Sequence, residues 1–227
     1  MYTLAPSVYA ADIMHLYRQL NDVKEMGITC LHVDIMDGCF VPLVSFGSDV
    51  VRAVKECLGL RMDIHLMVNN PEKVIEEYID AGADAVIFHL EATDNAVGLL
   101  DKIHRLGADA GIALKPETDL SKISEGIWRR IDVLQLMTAE PGMKGQHFQC
   151  DMVKKIAKAR GMINEMGRDI SIEIDGDITQ ERMQVCLDAG ASIIVVGKAI
   201  FNGDVQQNVN DFLRYNEGVI YEILNRN

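Results

Sequence analysis

The chain has 227 residues, of which 48% are hydrophobic and 25% are charged, and its net charge is −12. This size and composition predict one large α/β domain over residues 1–227, and the negative charge disfavours nucleic acid or an anionic membrane as a partner. The start lacks a signal-peptide pattern and no apolar run is long enough to span a bilayer. The cysteines are scattered without metal-type spacing, which indicates reduced thiols, so we expect a cytoplasmic protein.

Eight apolar strand-like segments alternate with helical segments along the chain. Helical spacing of apolar residues is clearest at 11–26, 71–81 and 151–166. Eight such units predict a (β/α)8 TIM barrel; a doubly wound open sheet is the alternative, although no G-x-G-x-x-G follows the first strand. The predicted strands lie at about 3–7, 30–35, 61–67, 84–90, 109–114, 131–138, 170–175 and 192–197.

Two histidines and two aspartates lie near the carboxyl ends of three predicted strands. "LHVDIMDGCFVP" places His32 and Asp34 on one face of strand 2, "RMDIHLMV" places His65 on strand 3, and "SIEIDGD" ends strand 7 at Asp175. In a barrel these ends meet, and imidazole and carboxylate groups together suit a divalent metal. A buried ion-pair network that fixes strand register is the alternative interpretation.

Glycines form a second group of candidates after the late strands. Gly142 and Gly145 lie in "TAEPGMKGQHF" after strand 6, while "DGD" follows strand 7 and "VGKAIF" follows strand 8. Barrels often bind phosphate on these loops, although each glycine could simply permit a tight turn. Three methionines at strand ends could line the wall of an anion pocket or only fill the core. They are Met36, Met67 and Met137.

These segments resemble the ribulose-phosphate 3-epimerase family, including its hexulose-6-phosphate relatives, from about residue 3 to residue 203. The resemblance is carried by "LAPSV", "LHVDIMDGCFVP", "MDIHLMVNNPE", "AGADAVIFHLEAT", "MTAEPGMKGQ" and "IEIDGDI". It implies a TIM-barrel isomerase of pentose phosphate metabolism that epimerises C3 of a ketose phosphate through an enediolate. It also implies one divalent metal per chain, with zinc expected and Mn²⁺, Fe²⁺ or Co²⁺ as alternatives. We expect a small sugar phosphate as the substrate and a homo-oligomer.

The resemblance also implies roles for individual residues. Asp34 and Asp175 would be the two catalytic acid/base groups, and together with His32 and His65 they would bind the metal. The candidate substrate-binding residues, most of them around the phosphate, are Ser7, His65, Gly142, Met143, Lys144, Gly145, Gly176, Asp177, Gly197 and Lys198.

Five residues depart from the usual family pattern. Lys115 and Glu140 replace asparagines, Lys144 and Asp177 replace glycines, and Lys198 replaces a serine. Because neighbouring strands bring their ends together, we expect two ion pairs, Lys115–Glu140 and Asp177–Lys198. Lys115 and Glu140 join the methionines as candidates for the pocket wall. This remodelling leads to the hypothesis that ribulose 5-phosphate is not the best ketose phosphate substrate.

Three other functions stay open at this point. The chain could epimerise an unphosphorylated ketose, or be a non-catalytic barrel that binds a sugar phosphate. It could also be a sugar-phosphate lyase, but related lyases use an Asp-x-Lys motif and "DIM" places Met36 where that lysine would stand.

Overall fold

The computed structural model describes residues 2–143 and 145–224, and it contains one sheet of eight parallel strands in the order β1-β8-β7-β6-β5-β4-β3-β2. A parallel bridge between Ser7 and His32 joins the two outer strands and brings the sheet to a nearly closed barrel. The predicted TIM barrel and its eight strands are therefore confirmed. The strands are β1 Thr3–Pro6, β2 Cys30–Met36, β3 Arg61–Met67, β4 Ala85–His89, β5 Asp109–Leu114, β6 Val133–Met137, β7 Ser171–Asp175 and β8 Ile193–Val196.

Helices follow the strands and cover the outside of the barrel. Two of the predicted helices begin later than the sequence indicates, because a 3-10 turn precedes each: Ile13–His15 comes before α1 and Pro71–Lys73 before α3. The α-helices in the described residues are α1 Leu16–Glu25, α2 Ser48–Leu58, α3 Ile75–Asp80, α4 Ala96–Arg105, α5 Glu125–Trp128, α6 Met152–Glu165, α7 Gln180–Asp188, α8 Lys198–Phe201 and α9 Val205–Leu224.

The alternation of side chains along each strand decides what faces the barrel interior. In β2, Leu31, Val33 and Ile35 belong to the main apolar core between sheet and helices. The residues between them point inward, so His32 and Asp34 share the interior face near the carboxyl end of the barrel. Within residues 2–143 and 145–224, no helix combines the length and hydrophobicity needed to cross a bilayer.

Candidate metal centre and active site

Strand register brings the four predicted metal ligands together. Asp34 is paired with His65 across β2 and β3, and Asp175 ends β7. Asp34 Oδ1 lies 3.4 Å from His32 Nε2 and 3.1 Å from His65 Nδ1. Asp175 Oδ2 lies 4.0 Å and 3.8 Å from the same two nitrogens. One atom from each residue therefore faces a common point at the end of the barrel.

This arrangement fits a divalent ion. Four ligands at bond lengths of about 2.0–2.2 Å around a tetrahedral ion lie roughly 3.3–3.6 Å from one another. The four distances above, from 3.1 to 4.0 Å, bracket that range. Neither nitrogen of the buried His32 ring makes a well-aligned hydrogen bond with protein, although buried polar atoms ordinarily have a partner. Of the two, Nε2 is the one that faces Asp34 and Asp175. A cation would satisfy this nitrogen and would balance the two aspartates.

A neighbouring carboxylate orients the His32 ring. Its Nδ1 lies 3.0 Å from Glu173 Oε1, and both side chains are fully buried. A proton on Nδ1 leaves the lone pair of Nε2 directed to the common point, as in many carboxylate–histidine–metal arrangements. Asp63 lies behind this pair: burial, helped by the charge of Glu173, raises the pKa of Asp63 well above its ordinary value. Asp63 is therefore protonated and adds no second negative charge beside Glu173.

A chain of side chains orients His65 in the same way. Its Nε2 lies 2.9 Å from His89 Nε2, and His89 Nδ1 lies 3.2 Å from Glu91 Oε2. Burial would raise the pKa of Glu91, but hydrogen bonds from His89 and Thr118 outweigh burial and lower it to about 2. Glu91 is therefore an ionised acceptor for His89 Nδ1–H. His89 Nε2 then accepts from His65 Nε2–H, which leaves the lone pair of His65 Nδ1 facing Asp34.

The two aspartates differ in pKa. Burial would raise the pKa of Asp34, but the charge of the neighbouring His32 lowers it below its usual range. Burial, followed by the charge of Asp34, raises the pKa of Asp175 to about 7.

The two histidines also differ in pKa. Burial would lower the pKa of His32, but Asp34 and Glu173 raise it. Burial lowers the pKa of His65 to about 4, so this ring is neutral at pH 7.

The other candidate substrate residues that the structure describes follow strands at this end of the barrel. Ser7 donates its hydroxyl to Asp34 Oδ2 at 2.7 Å. Gly176 has a φ of +129°, and a Cβ there would lie 2.5 Å from the backbone nitrogen of Ala139, so only glycine fits this turn. Gly197 directly precedes α8, which begins at Lys198, and Gly142, Met143 and Gly145 lie in the loop after β6. Lys144 lies outside the described residues.

The three methionines are buried at the carboxyl ends of their strands. Met36 and Met67 pack with Val41 in a small cluster of their own, and Met137 accepts a contact from Gln135 Nε2 at 3.5 Å from its sulfur. Their position is compatible with a pocket wall.

Both ion pairs expected from the sequence are wrong. Lys115 places its Nζ 4.6 Å from the centre of the Phe40 ring and forms no ion pair with Glu140. Asp177 pairs instead with Arg182, whose Nη1 lies 2.6 Å from Asp177 Oδ2, and it also accepts from the Phe148 N–H. Adjacent strand ends fix where the backbone leaves the barrel, but they do not fix the direction of a long side chain in the following loop.

Several buried polar residues had no role in the sequence-based prediction, and three of them lie inside strands. Asp63, Gln135 and Glu173 each lie two positions before a predicted site residue and are essentially inaccessible to solvent. The alternation that identified His32 and Asp34 could have identified them too, since residues two apart on a strand share a face.

Comparison with known proteins agrees with the geometry. A family model described as the ribulose-phosphate 3 epimerase family matches residues 3–201. The Chlamydia muridarum protein named ribulose-phosphate 3-epimerase is 38% identical over 203 residues, covering 88% of this chain and 89% of that protein. The Bacillus subtilis protein of the same name is 36% identical over 202 residues, covering 88% and 93%. The Treponema pallidum protein of that name is 38% identical over 205 residues, covering 90% and 94%.

One solved structure shares the architecture at low sequence identity. A chain described as "Native KDPGal structure" superposes with a TM-score of 0.68 at 10% identity and covers 96% of each chain. At this identity the likeness concerns the fold alone.

Proposed function

Because the chain belongs to the ribulose-phosphate 3-epimerase family, we propose that it inverts C3 of a pentulose phosphate, interconverting ribulose 5-phosphate and xylulose 5-phosphate. The observation that carries this proposal is the pair of carboxyl groups, Asp34 and Asp175, at one barrel end with pKa values shifted in opposite directions. A lyase or a simple binding barrel has no need for such a pair.

Inversion next to a carbonyl requires loss of a proton from one face of the carbon and return of a proton to the other. Two carboxyl groups on separate strands can do this without turning the intermediate over. Asp34, on β2, has a lowered pKa and is therefore ionised, which is the form that can accept a proton. Asp175, on β7, would serve the opposite face of the carbon, and its pKa is about 7 in the metal-free chain. In the reverse direction the two groups exchange roles.

We propose that the ion is held by His32 Nε2, His65 Nδ1 and one oxygen each of Asp34 and Asp175. When bound there, it acts as a Lewis acid toward the negative charge that develops on the substrate oxygens. The protein's own contribution is to orient both imidazoles through Glu173 and through His89 with Glu91. The four ligands suit Zn²⁺, and they also accept Mn²⁺, Fe²⁺ or Co²⁺.

For the phosphate we propose the loop Gly142–Gly145, the turn at Gly176 and Asp177, and the residues Gly197 and Lys198. Asp177 would repel a phosphate if its charge were uncompensated. The ion pair with Arg182 compensates much of this charge. The same ion pair weakens the hypothesis that ribulose 5-phosphate is not the best substrate.

All five cysteines are free, which supports a reducing compartment such as the cytoplasm. The homo-oligomer stays a prediction, which light scattering would test.

The test compares catalytic efficiency on ribulose 5-phosphate, allulose 6-phosphate and the two unphosphorylated ketoses, with product configuration read by NMR. The proposal predicts that ribulose 5-phosphate gives the highest kcat/KM. A preference for the hexulose phosphate would restore the remodelling hypothesis. A preference for the free sugars would overturn the proposed phosphate site.

A further inference from the structure

Gln135 is a buried amide next to the proposed metal position, and the function described above gives it no role. It lies in the middle of β6 and faces the barrel interior, with no solvent-accessible surface. Its Nε2 lies 3.1 Å from His65 Nδ1 and 3.5 Å from the sulfur of Met137. Its Oε1 is buried and has no hydrogen-bond partner. Buried amide oxygens ordinarily have a partner, so this one needs an explanation.

The surroundings of His65 Nδ1 supply that explanation. The hydrogen-bond chain from Glu91 through His89 places the proton of His65 on Nε2, so Nδ1 carries a lone pair. That lone pair faces Asp34 Oδ1 at 3.1 Å, and two acceptors so close need a proton or a metal ion between them, a place that the bound ion would take. Once a cation occupies the lone pair, the Nδ1 atom cannot also accept a hydrogen bond from Gln135.

The amide can respond without moving its backbone. Its oxygen and nitrogen are nearly equal in size, so a half-turn of the terminal amide exchanges them within the same space. After this turn the amide oxygen, with its lone pairs, lies where Nε2 was and is directed toward the cation. The NH₂ group then occupies the place where the oxygen had no partner. An oxygen facing a positive ion is electrostatically favourable where an N–H is not.

We propose that Gln135 presents its carbonyl oxygen to the ion bound by His32, Asp34, His65 and Asp175, as an additional oxygen donor. This inference rests on the metal site of the proposed function. Zn²⁺ is satisfied by four ligands, whereas Mn²⁺ prefers higher coordination numbers and oxygen donors. Gln135 therefore shifts the selectivity of the site away from Zn²⁺ and toward Mn²⁺ or similar ions.

A different role would give a different pattern of metal affinities. If Gln135 only positioned the His65 ring, its loss would lower the affinity for every ion that His65 binds, and by a similar factor. If the Gln135 oxygen faces the ion directly, loss of the side chain lowers the affinity for Mn²⁺ much more than the affinity for Zn²⁺.

The experiment measures Mn²⁺ and Zn²⁺ affinities of the metal-stripped full-length chain by competition with a chromophoric chelator. Gln135→Met keeps the length of the side chain but removes the donor, and Gln135→Glu keeps an oxygen at the same place. Leu134→Ile is the matched control, because this buried neighbour on β6 belongs to the outer core between sheet and helices. The visible absorption of the Co²⁺-loaded forms reports coordination number, since four-coordinate Co²⁺ absorbs more strongly than five- or six-coordinate Co²⁺.

We expect Gln135→Met to weaken Mn²⁺ binding by about tenfold or more and Zn²⁺ binding by less than about threefold. The visible absorption of its Co²⁺-loaded form should be stronger than that of the wild type. Gln135→Glu should bind Mn²⁺ at least as tightly as the wild type, and this variant carries the test if Gln135→Met does not fold. Equal losses for both ions, unchanged affinities, or a Glu variant with weakened Mn²⁺ binding would overturn the inference.

The two proposals fail in distinguishable ways. A wild-type chain that binds neither ion would overturn the metal site and this inference with it. A chain that shows the expected metal affinities but does not epimerise a ketose phosphate would overturn only the proposed function.

Discussion

His65 and His89 face each other in the barrel interior with their Nε2 atoms 2.9 Å apart, and both rings are fully buried. One of these nitrogens must donate and the other must accept. The carboxylate of Glu91 beside His89 Nδ1 decides which, because it requires a proton on that nitrogen. The consequence is a free lone pair on His65 Nδ1, the atom that faces Asp34.

Glu91→Gln should reverse this arrangement. An amide NH₂ facing His89 Nδ1 would shift the His89 proton to Nε2, and His65 would then carry its proton on Nδ1, where it opposes metal binding. We expect a 10- to 100-fold loss of metal affinity, the usual cost of removing such an outer partner, measured by chelator competition. Thr118→Val is the control, because it removes a partner of Glu91 and leaves the carboxylate in place. Wild-type affinity in Glu91→Gln would show that Glu91 does not set the tautomer.

Metal binding should release protons. The pKa of Asp175 is raised to about 7 and that of His32 lies well above its usual value, so both groups hold protons at pH 6 in the metal-free chain. Each must lose its proton to bind an ion, so affinity rises with pH. We expect release of about two protons at pH 6 and a smaller number once the pH has risen above the pKa of Asp175, about 7.

Calorimetric titrations in buffers of different ionisation enthalpy count these protons. The Asp175→Asn variant has no carboxyl proton to lose at this position, so metal binding at pH 6 should release about one proton fewer than in the wild type. Identical heats in every buffer would contradict the raised pKa values.

Asp34→Asn and Asp175→Asn should each lose most of the activity at saturating metal, because each removes a group that carries a proton to or from C3. We expect kcat to fall by about 10²- to 10⁴-fold, the usual contribution of general acid–base catalysis. Metal content is measured alongside turnover, so that loss of the ion is separated from loss of proton transfer. Either variant at near wild-type kcat would remove that aspartate from the proposed pair.

Arg182→Met should raise KM for ribulose 5-phosphate and change kcat little. It removes the counter-charge of Asp177 at the proposed phosphate site, where the free carboxylate would repel the substrate. Because the pair is partly exposed, we expect only a roughly three- to tenfold effect that shrinks at high salt.

The double variant Asp177→Gly with Arg182→Met is the matched control and should restore KM. Glycine suits this position, since Asp177 has a φ of +53°. A KM that is unaffected by Arg182→Met would place the phosphate elsewhere.

The sequence was sufficient for the barrel and for the convergence of His32, Asp34, His65 and Asp175, because strand alternation and the common end of parallel strands are strict geometric rules. It was insufficient for Lys115 and Asp177, whose long or loop-borne side chains select partners by local contacts. Lys115 lies over Phe40, and Asp177 pairs with Arg182, five residues later in the chain. Gln135 was missed although it obeys the same alternation, because an amide in an apolar strand carries no family signature.

The most direct test of the central claim is turnover of ribulose 5-phosphate in heavy water by the metal-loaded chain, followed by NMR of the recovered sugar phosphates. A two-carboxylate epimerase predicts xylulose 5-phosphate that carries deuterium at C3 and none at C1, and a metal-stripped sample of the same preparation should form none. Xylulose 5-phosphate with hydrogen retained at C3, or equal turnover without metal, would contradict the account.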